Sequence, residues 1–69
     1  MLWNESVAIK VREVMRILRR DGWYIDRTRG SHRVYKHPVK TGTVVVAGHP
    51  GVDMREGTWQ NILKQAELK

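Results

Sequence analysis

Residues Trp23-Tyr24-Ile25-Asp26-Arg27-Thr28-Arg29-Gly30-Ser31-His32-Arg33-Val34-Tyr35-Lys36-His37-Pro38 carry the pattern of a β-hairpin. It opens with bulky β-formers and sets Trp23, Ile25 and Arg27 against Tyr24, Asp26 and Thr28. That alternation predicts a strand over Trp23 to Arg29 with one face on a core. Gly30-Ser31 breaks the pattern, His32 to His37 resumes it, and Pro38, which has no N–H to donate to a ladder, stops it. Lys40-Thr41-Gly42 then reads as a turn into the β-branched run Thr43-Val44-Val45-Val46. Three sequential strands with short links imply an antiparallel meander.

Working outward, Val7, Val11, Val14, Ile17 and Leu18 recur at the spacing of one helical face, which predicts a helix from roughly Ser6 to Arg20, stopped by Asp21-Gly22. Arg12, Arg16, Arg19 and Arg20 fall largely on the opposite, solvent side, where a solvated basic face is the plain expectation. His49-Pro50-Gly51 is a loop by composition. Thr58 is expected to cap a last helix carrying Trp59, Ile62, Leu63 and Ala66 on one face. The order helix-strand-strand-strand-helix predicts a two-layer α+β sandwich with both helices on the same side of the sheet. Trp23 and Trp59 are expected in the core rather than stacked on a ligand's bases.

The chain's 69 residues make one domain, 1–69, with no repeat or linker and too few apolar side chains to line a deep pocket. With no cysteine, disulfides, thiolate catalysis and cysteine-based metal sites are excluded, so neither metal nor cofactor is expected and a reducing, cytoplasmic setting is. No run approaches a membrane span, and no targeting segment is read at the N-terminus. Charge is lopsided: residues 10 to 40 hold ten of the thirteen basic side chains and three of the seven acidic ones. Eight of the thirteen cations are arginine, whose planar fork suits phosphate oxygens, so a polyanion or an acidic protein is the expected partner.

Asp21-Gly22-Trp23, Gly30-Ser31-His32-Arg33-Val34-Tyr35-Lys36-His37-Pro38, and Gly57-Thr58 through Ile62-Leu63-Lys64-Gln65-Ala66 together resemble the HicA family of toxins. The resemblance covers about Lys10 to Leu68, and it is the combination of segments that is specific. It implies a fold like the double-stranded RNA-binding domain, an mRNA-cleaving activity, and neutralisation by a HicB antitoxin through which DNA would be reached only indirectly. The family's catalytic histidine matches His32. Two departures stand out. Glu67 occupies a position where the family commonly has a glycine ending the last helix, which leaves open whether that helix runs on. The first nine residues form an N-terminal extension beyond the usual family start, in which Trp3 has no assigned role.

Cleavage of RNA needs no protein nucleophile, because the 2′-hydroxyl attacks its own phosphate once a base takes its proton and cations hold the developing charge. Under the resemblance His32 is that general base or general acid. Arg27, Arg29, Arg33 and Lys36 lie close enough in sequence to gather phosphates, Gly30 gives the turn its backbone freedom, and Ser31 bonds either a phosphate or the turn. Strand parity puts Lys36 on the face of His32. Tyr35 is then left to the core, or alternatively to a general-acid role. His37, an odd step from His32, is expected to be a structural strand-end residue. The rival reading is a non-catalytic RNA-binding module of the same fold, or a docking surface for an acidic partner; no helix-turn-helix supports direct DNA binding.

Overall fold

The computed structural model describes residues 7–69. Trp3 and the start expected for the first helix at Ser6 lie outside the described residues. The elements are β1 (Ile9–Lys10), α1 (Val11–Arg20), β2 (Tyr24–Arg29), β3 (His32–Lys36), β4 (Val44–Ala47), β5 (Asp53–Met54) and α2 (Glu56–Gln65). β2, β3 and β4 form the expected antiparallel meander in the order β2-β3-β4, and β1 pairs with β5 in a separate two-stranded ribbon. The architecture is α+β, with both helices contributing to one core. Among the described residues no helix is long and apolar enough to cross a membrane.

The first helix starts later than its apolar periodicity predicts. Ile9 and Lys10 are extended and pair with Met54 and Asp53, and Val7 is exposed. Lys10, at the N-cap, offers no side-chain cap; instead the N–H groups of Val11 and Arg12 donate to the carbonyls of Val52 and Pro50, both at 2.9 Å. The loop predicted at His49-Pro50-Gly51, together with Val52 just after it, thus satisfies two of the four donors a helix start leaves orphaned. Two-residue strands carry no periodicity, which is why the sequence did not show them. The second helix starts earlier than predicted, with Arg55 at the N-cap and no side-chain cap, so Thr58 sits inside the first turn.

The core gathers Val11, Val14 and Leu18 from α1, Tyr35 from β3, Val44 and Val46 from β4, and Ile62 and Ala66 at α2, closed by Trp23 and Met54. β2 contributes nothing to it: all six of its residues are exposed, Ile25 at 41%. The expectation that one face of β2 meets the core is therefore corrected to Trp23 alone, the residue just before the strand. The helices cover β4 and part of β3, and β2 lies about 10 Å across the sheet from β4, beyond their reach.

Both helices end in the same backbone motif. At the end of α1, Gly22 donates to Arg19 O and Trp23 to Leu18 O; at the end of α2, Glu67 donates to Lys64 O and Leu68 to Leu63 O. These are paired 5→2 and 6→1 bonds around a left-handed residue. That residue is Gly22, at φ 105°, in the first helix and Glu67, at φ 60°, in the second. The departure from the family's glycine does not extend α2; Glu67 adopts the glycine conformation at a strain cost of about 1–2 kcal/mol.

The two ends are joined by one polar cluster. Lys40 Nζ donates to Asp21 Oδ2 at 2.6 Å and to the carbonyls of Ala66 and Glu67 at 3.0 and 3.3 Å. His37 Nδ1 accepts from the N–H groups of Val39 and Lys40, which leaves Nε2 to donate to Asp21 O at 2.7 Å, and the ring meets Trp23 edge-on at 5.1 Å. His37 is the structural residue the sequence led us to expect. A Cβ on Gly22 would stand 2.8 Å from His37 Nε2.

Three outcomes follow in urea unfolding. Gly22→Ala should cost roughly 2–4 kcal/mol, combining backbone strain with displacement of a hydrogen-bonded ring. Glu67→Gly should instead stabilise by about 0.5–1 kcal/mol. The Lys40 ammonium holds the Asp21 carboxyl below the usual carboxylate range. The stability this contributes is therefore present above the unfolded-state value near 4 and is lost as pH falls through the lower folded value; Asp21→Asn should remove that acid dependence.

Candidate functional site

The face of the meander turned away from the helices carries the candidate site. Directly opposed residues of antiparallel strands share a face. Arg29 opposes His32, which opposes Ala47; Arg27 opposes Val34, which opposes Val45; Tyr24 opposes Lys36. Tyr35, 3% exposed, marks the other face, where Ile25 opposes it. Lys36 accordingly shares the face of His32, as parity predicts. Tyr35 is packed in the core on the opposite face, where burial pushes its phenol above the ordinary value, partly offset by the positive Arg33 and Arg19.

Simple alternation along β2 sets Arg27 with Trp23 and Ile25, on the helix side. The register instead shifts between Ile25, opposite Tyr35, and Arg27, opposite Val34, leaving Asp26 unpaired. This β-bulge turns Arg27 and Arg29 over to the face of His32. Without it both guanidiniums would point away from the imidazole. Together Arg27, Arg29, His32, Val34 and Val45 line an open depression of about 420 Å³, shallow and partly apolar.

Arg27 Nη1 pairs with Asp26 Oδ2 at 3.0 Å, so the bulged residue partly neutralises one of the cations it reorients. The side chains of Arg29, His32 and Lys36 have no hydrogen-bond or ion-pair partner among the described residues. The imidazole thus stands beside cations, and among the described residues no carboxylate orients it. Gly30 takes φ 59° at the hairpin tip, with open space around its α-carbon. Ser31 supplies its carbonyl to the N–H of Gly48 at 3.2 Å. No group of three or more side chains able to hold a metal ion occurs among the described residues.

Arg33 is the one expected phosphate ligand that the fold separates from the others. It opposes Thr28 and Val46 on the helix side, half-buried, and its Nη1 donates to Gly48 O at 2.8 Å, Ser31 O at 3.2 Å and Val46 O at 3.5 Å. The guanidinium clips the hairpin tip to the end of β4, and Arg33 is corrected from a phosphate ligand beside His32 to a structural residue. Its odd spacing from His32 was the available signal. Arg33→Ala should lower stability by about 1–3 kcal/mol in urea unfolding, since it leaves three carbonyls without their charged donor. Arg29→Ala, on the free face, should change it by no more than about 0.5 kcal/mol.

No curated protein matches the chain significantly. A family model described as the HicA toxin of bacterial toxin-antitoxin matches residues 11–68, a span that begins with α1 and takes in the bulge, the hairpin and the Glu67 turn. Because that match covers most of the sequence and all three strands of the meander, the chain belongs to the HicA family of bacterial toxin–antitoxin toxins.

Proposed function

We propose that the protein is an endoribonuclease that cleaves mRNA without a metal ion, with His32 moving the proton and Arg27, Arg29 and Lys36 holding phosphates. Gly30 and Ser31 shape the hairpin tip against which the strand lies. The observation that carries this reading is the depression in which the bulge sets two arginines beside an imidazole whose ring has no hydrogen-bond partner among the described residues. Membership of a toxin family supports a toxic activity held in check by a partner.

In the proposed reaction His32 acts as base, taking the 2′-hydroxyl proton as the 2′-oxygen forms its bond to phosphorus while water protonates the departing 5′-oxygen, or as acid, giving a proton to the 5′-oxygen while water takes the 2′-hydroxyl proton. The P–O5′ bond breaks, and the products are a 2′,3′-cyclic phosphate and a 5′-hydroxyl. The guanidiniums of Arg27 and Arg29 stabilise the extra negative charge of the pentacoordinate phosphorus. A single imidazole on an open surface makes a slow enzyme of loose sequence preference. A HicB-like antitoxin with an acidic surface over this face would cover His32 and occupy the phosphate sites at once.

The missing orienting partner for His32 is the one feature that equally suits a non-catalytic RNA-binding module of this fold. Cleavage of labelled mRNA in excess EDTA separates the two. The wild-type chain should cut and leave cyclic phosphate ends; His32→Ala should lose at least about 100-fold in rate while still binding. A substrate with 2′-deoxyribose at the scissile position should bind and stay intact. Equal cutting by the wild-type and His32→Ala chains would remove His32 from the chemistry, and binding without cutting by either would leave the binding module.

A further inference from the structure

A second basic surface lies on the helix side. Arg12, Arg16 and Arg19 follow one another at steps of four and three along α1, and with Met15 and Pro50 they line a depression of about 230 Å³. Helical rise separates Arg12 from Arg16 by about 6 Å along the axis and Arg16 from Arg19 by about 4.5 Å. These steps are comparable with those between phosphates on an extended nucleic-acid strand. None of the three guanidiniums is strongly engaged. Arg16 has a single ion pair, with Glu13 at 3.8 Å, both partners well exposed; Arg12 and Arg19 have none among the described residues.

This row is continuous with the His32 depression around one end of the sheet. His32 opposes Ala47, the N–H of Gly48 bonds to Ser31, His49 follows at the surface, and the carbonyl of Pro50 accepts the Arg12 N–H. A few residues of chain thus lead from the imidazole's strand partner to the first arginine of the row. The molecule is a slab only 16 Å along its shortest axis, so a flexible strand can turn that end without a large detour.

We propose that Arg12, Arg16 and Arg19 form a second phosphate track that holds, on one side of the scissile position, the flank of the same single-stranded RNA, which bends round the sheet end past His49. The proposal rests on the RNA reading of the His32 face. Regularly spaced, uncommitted guanidiniums over a narrow floor of Met15 and Pro50 suit a phosphate backbone. An acidic protein would need a broader apolar anchor than these two side chains provide.

The test uses the full chain and a 20-nucleotide 2′-O-methyl RNA of unstructured sequence, which cannot be cleaved, with affinity measured by fluorescence anisotropy across salt concentrations. Replacing Arg12, Arg16 and Arg19 together by Gln should weaken binding about 10- to 100-fold near 0.15 M salt and reduce the log–log salt slope by about 2. Replacing the same three by Lys should keep the slope, and an unchanged urea midpoint confirms folding. A 2′-O-methyl trinucleotide, too short to reach both surfaces, should bind the Gln variant at His32 as well as it binds the wild type.

Arg27→Gln with Arg29→Gln, run in parallel, separates this idea from the reading beneath it. Weakening by both sets supports the track. Weakening only by the α1 set keeps an RNA track on α1 and overturns the reading of the His32 face. Weakening only by the sheet set overturns the track and leaves the arginine row to an acidic protein, and weakening by neither overturns both.

Discussion

A three-stranded sheet in a chain this short has apolar side chains for one face only, and the rest of the molecule follows from that shortage. The ten buried hydrophobic residues among those described all serve a single core between the helices and β3–β4. The opposite face of the same strands is left to solvent and filled with Arg27, Arg29, His32 and Lys36. On β3, alternate residues serve opposite ends: Tyr35 goes into the core, while His32, Val34 and Lys36 face out. The candidate site is therefore mounted on the back of the core, and the packing of Tyr35, Val44 and Val46 fixes the plane in which its side chains stand.

Holding a largely exposed hairpin in place requires rigidity that burial cannot supply, because β2 buries nothing. Polar joints supply it. At one end of the hairpin, the left-handed turn at Gly22, the His37 ring and Lys40 tie the start of β2 and the end of β3 to the ends of both helices. At the other, Arg33 draws the carbonyls of Ser31, Val46 and Gly48 together. A charged donor serving several carbonyls is worth more than the same bonds made by neutral groups. In both joints a cation that looks from sequence like a free surface charge is consumed by structure, and the cations left over are those free to meet a polyanion.

Glu67 shows how such a fold tolerates a local violation. The turn that ends α2 is determined by its backbone bonds, by Leu68 packed against the core and by Lys40 on the Ala66 and Glu67 carbonyls. Those interactions outweigh the strain of a side chain at positive φ, so the helix stops where a glycine would have stopped it. Arrangements determined by several partners at once persist even when one residue is poorly suited to its conformation.

Local pattern was enough for the three strands of the meander, the one-sided placement of the helices, the stop at Gly22 and the shared face of His32 and Lys36, while it left Tyr35 open between core and general acid and favoured without deciding a structural His37. These rest on periodicity and parity, which are properties of consecutive residues. The HicA resemblance was legible for the same reason, being carried by contiguous segments. Which arginines stand beside His32 follows from long-range contacts. Arg27 and Arg29 reach it through a bulge at Asp26; Arg33 is kept off that face by its odd step from His32, and the carbonyls of Val46 and Gly48, distant in sequence, converge with the nearby Ser31 carbonyl on its guanidinium. A bulge is set by where the two strands are anchored at both ends, at Trp23 in the core and at the Gly30-Ser31 tip. The start of α1 was decided in the same way, by carbonyls of a loop some forty residues further along the chain. Local pattern fixes which face a residue would take on a regular strand; whether the strand is regular depends on contacts that no local pattern contains.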